Sequence, residues 1–228
     1  MISAFTTRRL ALMAAFASSL ILAACGSGGG SGNGSTTVRA LNLTTDLPTI
    51  DIYTGDTKQF SAVAADAVTP STSIEANTYT MNVKSAGDGA TLLTGSYSLT
   101  KDAHYTAVVW GRQTALRLTT LPEDEDTANI TSSGNLRIRM FNATVDTGAV
   151  DVYLTTAAAD LGESTATQSA VTSGALSGFR EISSNTYRLR VTGSGDPTDV
   201  RLDIPSVTLS AQKYYTIVLT SEIGRAHV

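Results

Sequence analysis

Few residues in this chain have the type and spacing to do chemistry. One cysteine, Cys25, and two histidines, His104 and His227, are the whole thiol and imidazole inventory. His104 sits just before an apolar run and reads as a surface residue on a loop. There is no Gly-x-Ser-x-Gly elbow and no His-Glu-x-x-His pair. Serine and threonine abound, but a hydroxyl becomes a nucleophile only with a base in reach. Asp51 and Asp151 stand 100 residues apart in near-identical surroundings, Ile-Asp-Ile-Tyr and Val-Asp-Val-Tyr. Two carboxylates could do acid/base work. Each has its own upstream arginine, Arg39 or Arg139, so structural pairing or turn formation is the expectation. Tyr53 and Tyr153 are expected at a sheet edge with the hydroxyl in water. Trp110 could be a sugar platform, but its apolar surroundings place it in a core. The acidic run Glu123-Asp124-Glu125-Asp126 lacks the turn glycine of a calcium loop and reads as a solvated linker. No catalytic residue, metal ligand or cofactor-binding residue is assigned.

The cysteine is different. Arg8 and Arg9 precede an uncharged, mostly apolar stretch, 10–24, too short to span a bilayer comfortably. A basic start followed by a short apolar core is the pattern of a secretory signal. The stretch ends in Leu22-Ala23-Ala24-Cys25, which resembles the lipobox of bacterial lipoproteins. That resemblance implies cleavage before Cys25 and lipidation of its thiol, a membrane anchor through the N-terminal lipid. Gly26 rather than Asp follows, which in Gram-negative lipoproteins implies the outer membrane. The next residues, from Gly26 to Ser35, are almost all glycine and serine. They lack the Gly-Lys-Ser/Thr ending of a phosphate loop. They read as a flexible tether with a reach of about 20 Å.

Behind these residues lies a chain built to make strands. Charged residues are 16% and hydrophobic residues 42% of the total, so it is neither a disordered polyelectrolyte nor a charge-rich helical rod. A net charge of −4 and a pI near 5.1 argue against nucleic acid as a partner. The sequence also repeats. Arg39, Asn42, Thr44, Asp46, Asp51 and Tyr53 recur in register as Arg139, Asn142, Thr144, Asp146, Asp151 and Tyr153. Asn77-Thr78-Tyr79 recurs as Asn185-Thr186-Tyr187, and Tyr105-Thr106 as Tyr215-Thr216. The growing offset places insertions in the second copy, within 155–173. Internal duplication is the simplest cause.

Period-2 alternation through Tyr79, Met81 and Val83, and through Tyr187, Leu189 and Val191, marks half-buried strands. Strands are also expected at 38–43, 50–53, 92–99, 105–110, 137–142, 150–153 and 214–219, with another at Leu116 and Leu118. No segment after the leader has sustained helical periodicity. Many short strands separated by turn signals point to an all-β sandwich fold. The expected organisation is a signal peptide at 1–24, lipidated Cys25 and tether at 25–37, and a first repeat at 38–121. A linker follows at 122–134 and a second repeat at 135–221.

The opening block of each copy resembles the bacterial domain of unknown function 4397. Members read Arg-Val-x-His/Asn-Ala-Ser-Pro-Asp-Ala-Pro-x-Val-Asp-Val-Tyr, then a Gly-Thr-Tyr strand and a Tyr-Thr-apolar strand. Here Asn77-Thr78-Tyr79 and Tyr105-Thr106 stand in those later places. Leu43 and Thr45 depart from the small residue and proline of the pattern, and Gly148 replaces Pro48 in the second copy. The resemblance implies exported, often lipid-anchored, immunoglobulin-like β-sandwich modules in tandem, and no known reaction.

Residues 222–228 fit no strand logic. They back-translate as GAG ATC GGA AGA GCA CAC GTC, which resembles a sequencing adapter. The second repeat is therefore expected to be incomplete. The expected function is a lipid-anchored, non-enzymatic module for envelope structure or adhesion, meeting an envelope protein or polysaccharide. The alternative is a carbohydrate- or peptide-binding surface lipoprotein, and an envelope enzyme ranks below both.

Overall fold

The computed structural model describes residues 3–6, 34–123 and 129–220. Cys25, most of the expected leader and tether, and residues 124–128 and 221–228 lie outside the described residues. Among those described, the regular structure is strand apart from one short 3-10 turn, Gln113–Ala115. Among the described residues, no helix is long and apolar enough to cross a membrane.

Among the described residues, sixteen strands form four four-stranded sheets. The first sheet contains β2 (Ser35–Thr44), β5 (Thr72–Glu75), β8 (His104–Gly111) and β9 (Arg117–Pro122), in the order β5-β2-β8-β9. The second contains β3 (Thr49–Thr54), β4 (Thr57–Ala64), β6 (Thr78–Ser85) and β7 (Thr91–Ser98), ordered β4-β3-β6-β7. The third contains β1 (Ser3–Thr6), β10 (Asn135–Ala143), β13 (Arg180–Ser183) and β16 (Tyr214–Thr220), ordered β1-β16-β10-β13. The fourth contains β11 (Val150–Thr155), β12 (Gln168–Val171), β14 (Asn185–Gly193) and β15 (Asp196–Leu209), ordered β12-β11-β14-β15.

The two halves follow one plan. β2 runs parallel to β8, and β10 runs parallel to β16, while every other pairing is antiparallel. Val38, Ala40, Tyr105, Ala107 and Val109 face Ile50, Ile52, Met81 and Val83 in one core. Leu136, Ile138, Met140, Tyr215, Ile217 and Leu219 face Val150, Val152, Leu189 and Val191 in another. The opposite sides of β2, β8, β10 and β16 meet in a third core. There Leu41, Leu43, Val108 and Trp110 pack with Phe141, Ala143 and Val218. Trp110 and Phe141 touch edge to face, with ring centroids 5.9 Å apart. Strands buried on both faces read as continuous apolar runs, which is why Ala107-Val108-Val109-Trp110 shows no apolar/polar alternation.

Two expectations need correction. Tyr53 and Tyr153 do not lie at sheet edges, since β3 and β11 are inner strands. Tyr153 is buried, at 5% exposure. Glu123 is also no solvated linker residue. Its carboxylate turns inward onto Arg39, because β9 carries it alongside the start of β8.

Candidate functional site

Each repeated polar residue has a definite task. In β2, the Asn42 side chain is fully buried. Its Nδ2 donates to Val63 O at 3.0 Å and Leu47 O at 3.4 Å, and its Oδ1 accepts from Thr44 N and Oγ1. Asn142 repeats this with Val171 O, Gly148 O, and Thr144 N and Oγ1. One side chain thus holds the chain reversal after its strand to the edge strand of the facing sheet. A buried amide with all its groups paired stabilises; a half-paired one does not.

Asp51 and Asp151 anchor β-bulges. Asp51 Oδ1 accepts from Ala62 N at 2.7 Å, and Asp151 Oδ1 accepts from Ala170 N at 2.7 Å. Both alanines have positive φ, 49° and 52°. An extra residue in β4 and in β12 turns an amide toward the neighbouring inner strand, and the carboxylate receives it. The second oxygens differ. Asp51 Oδ2 meets Lys58 Nζ at 2.5 Å, while Asp151 Oδ2 accepts from Gly195 N at 2.9 Å. Burial pushes the Asp51 carboxyl up, but the Ala62 amide and the Lys58 ammonium outweigh it and hold the group below the ordinary aspartate value.

The expected Arg39–Asp51 and Arg139–Asp151 pairs do not form. The arginines lie on the first and third sheets, facing the seam between halves, and the aspartates lie on the second and fourth. Arg39 Nε instead meets Thr106 Oγ1 at 2.9 Å and Glu123 Oε1 at 2.8 Å. Arg139 Nε meets Thr216 Oγ1 at 3.0 Å, and its Nη2 donates to Pro122 O at 2.6 Å. The Arg139 guanidinium also lies 4.5 Å from the centre of the Phe179 ring.

These groups line a small cleft with Leu121, Tyr214 and Val218. Its enclosed volume is about 30 Å³. That admits a water or two, whereas small-molecule sites run to about 300 Å³ or more. The cleft is a polar lock across the seam, with two cations balanced by a carboxylate, a carbonyl and an aromatic face. His104 opens β8 and is exposed, with Trp110 at the far end of the same strand and buried at 1%. Nothing brings the two together. No group of three or more histidine, cysteine, aspartate or glutamate side chains could hold a metal among the described residues.

Sequence reading missed Glu123, Phe179 and Ala62. A backbone amide as the partner of Asp51 leaves no trace in residue type, so only the doubled Ile/Val-Asp-Ile/Val-Tyr pointed to that position.

An all-β chain whose recurring polar residues hold turns, bulges and the seam defines a class: a sheet-stacking protein stapled by its own motif. The chain belongs to the family described as Domain of unknown function (DUF4397), whose model matches residues 36–153. The match runs from Thr36 in β2 to Tyr153, the last residue of the Val-Asp-Val-Tyr in β11. No curated protein matches the chain.

Proposed function

We propose that this is an exported, lipid-anchored cell-envelope protein that serves as a non-enzymatic structural or adhesion module. The outer membrane is its site in a Gram-negative source. Two tandem immunoglobulin-like β-sandwich modules form its body, one from the first and second sheets and one from the third and fourth. Paired hydrogen bonds support the duplication. Ala40 N donates to Thr69 Oγ1 and Met140 N to Ser177 Oγ, and Tyr79 and Tyr187 each donate to the carbonyl four residues back. Tyr105 and Tyr215 each accept on the hydroxyl from the amide five residues back. A tyrosine that reaches back to upstream backbone at the start of such a strand is a hallmark of immunoglobulin-like folds.

The observation that carries the functional reading is the use of the motif. Arg, Asn, Thr and Asp, the residues that chemistry would need, are bonded to backbone and to each other in both halves. What distinguishes the chain functionally is then its attachment. The Leu-Ala-Ala-Cys sequence supports Cys25 as the lipidated residue, and the glycine-rich tether sets the body off from the lipid.

Mass spectrometry of the N-terminal tryptic peptide from the membrane fraction tests this. A diacylglyceryl-modified Cys25 as first residue is expected, and C25A should retain its leader. An unmodified Cys25, or a C25A protein processed and released like the wild type, overturns the lipoprotein reading.

A further inference from the structure

The outer faces of the second and fourth sheets are built on one plan, and only one of them is covered. In the second sheet Ile52, Met81 and Val83 enter the core, so Tyr53, Thr80, Asn82 and Lys84 point outward. β7 adds Ser96 and Thr94, opposite Thr80 and Asn82 in register. β4 adds Lys58, opposite Tyr53. Two of the chain's four lysines thus meet on one tyrosine. Lys84 Nζ lies 4.3 Å and Lys58 Nζ 5.5 Å from the centre of the Tyr53 ring.

The two lysines are not equivalent. Asp51 meets Lys58 at 2.5 Å and accepts the Ala62 amide on its other oxygen. Lys84 stands opposite Asp51 in register, yet its ammonium turns to the ring. No carboxylate among the described residues forms an ion pair with it. Lys58, Lys84 and Asp51 together leave one positive charge uncompensated, on a chain whose net charge is −4. Beside them β6 and β7 present hydroxyls and an amide, from Thr80, Thr94, Ser96 and Asn82.

The fourth sheet shows what such a face accepts. Arg190 stands opposite Tyr153 there, and Arg188 opposite Thr155. Residues 156–167 supply oxygen to both cations, Ala157 O to Arg188 and Ala159 O to Arg190. Tyr153 is buried, and so is Leu161 of the same segment. In the second sheet the two-residue turn Gly55-Asp56 stands in place of that segment, and Tyr53 stays half-exposed.

We propose that the outer face of the second sheet binds an acidic polysaccharide, a uronate-bearing glycan of the envelope. A sugar carboxylate meets Lys84, as the carbonyls of residues 156–167 meet the arginines of the other half. The sugar ring that carries it lies against the exposed part of Tyr53. Hydroxyls of neighbouring sugars meet Thr80, Thr94 and Ser96. A docked peptide needs pockets for its side chains, and β6 and β7 offer hydroxyls there instead. This deepens the adhesion reading and rests on it for the source of the glycan. Binding itself does not require the lipid, so this test and that of Cys25 fail separately.

The test titrates the purified full-length protein with oligogalacturonate, by calorimetry and by backbone amide NMR. Saturable binding with a Kd of about 1 mM or tighter is expected. It should weaken as salt is raised, because the lysines are at the surface. Amide shifts should move at residues 53, 80–84 and 94–96 and stay fixed at 151–155 and 188–192. K84Q and Y53A should each weaken binding about fivefold or more, while K101Q, away from the patch, leaves it unchanged. The methyl ester of the same oligosaccharide, which lacks the charge, should bind about tenfold more weakly or worse. Absence of saturable binding overturns the proposal, as does K84Q binding like the parent. Equal weakening by K101Q, or polyglutamate binding as tightly as the glycan, would mean that charge alone selects and overturns it too.

Discussion

The outer sheets of the two halves share their staples and differ in their cover. In the first half, β3 turns into β4 through Gly55 and Asp56. Tyr53 is left half-buried on the outer face, with Lys84 Nζ 4.3 Å and Lys58 Nζ 5.5 Å from its ring centre. In the second half, residues 156–167 replace that turn. Arg188 Nη1 donates to Ala157 O, and Arg190 Nη2 donates to Ala159 O. Arg188 is itself held by Asp203 at 2.5 and 2.8 Å. Leu161 of the inserted segment and Tyr153 are both buried. Bonds that reverse the chain and anchor its bulges stay fixed, while the segment joining two strands is free to lengthen over the surface.

The largest effect should come from removing Tyr153, and it should far exceed that of removing Tyr53. Y153A empties a buried site and is expected to cost about 3–5 kcal/mol in urea unfolding. Y53A removes a half-exposed ring with two cations and should cost about 1 kcal/mol. Equal costs would mean that the inserted segment covers nothing of consequence. N42A and N142A come next. Each leaves buried carbonyls and an amide without their partner, at about 2–3 kcal/mol. Here the two halves should match, and a twofold disparity would break the equivalence of their corners.

How far the sequence could be read follows from the same comparison. The strands holding Tyr79, Met81 and Val83 and their counterparts were legible because apolar side chains enter the core on one face while polar ones occupy the other, even where, as at Arg190 and Thr192, that other face is also buried. β4 and β12 were not. The positive-φ alanine shifts the register, so Phe60 and Val63 reach the core three positions apart instead of two. β15 was hidden by its prolines and aspartates, which mark an edge strand and look like loop. Among candidate site residues, the importance of Arg39 and Asp51 was visible in their recurrence. Their partners were not, because which side of a sheet each faces depends on strand order, and strand order is set by the parallel β2–β8 and β10–β16 pairings.

Those bulges give a smaller test. Glycine usually weakens a strand, but at a positive φ it relieves the crowding of Cβ against the backbone. A62G and A170G should therefore be neutral or stabilising by up to about 1 kcal/mol in urea unfolding. A clear loss in one half only would show that its methyl group packs where the other does not.

The smallest effects should appear in acid, and they fall on different residues in the two halves. Asp51 has Lys58, and Asp151 has a second backbone amide in its place. Glu181 pairs in register with Arg137, where the first half has Ser73 opposite Thr37. Hydrogen bonds from Thr131 and Asn135 hold the Glu181 carboxyl down at about 2. Both groups are thus more acidic in the folded chain than in the unfolded one. A carboxyl of this kind adds stability above its unfolded value, 3.8 for Asp51 and 4.5 for Glu181, and that stability is lost as pH falls through the folded value. Carbon-detected titration should put Glu181 near 2 and Asp51 below 3.8. Stability measured between pH 5 and pH 2 should fall less steeply in D51N and in E181Q than in the parent, and least in the double variant, because the two groups sit in separate halves and act independently. A double variant no flatter than either single one would place the acid-labile step in one half alone.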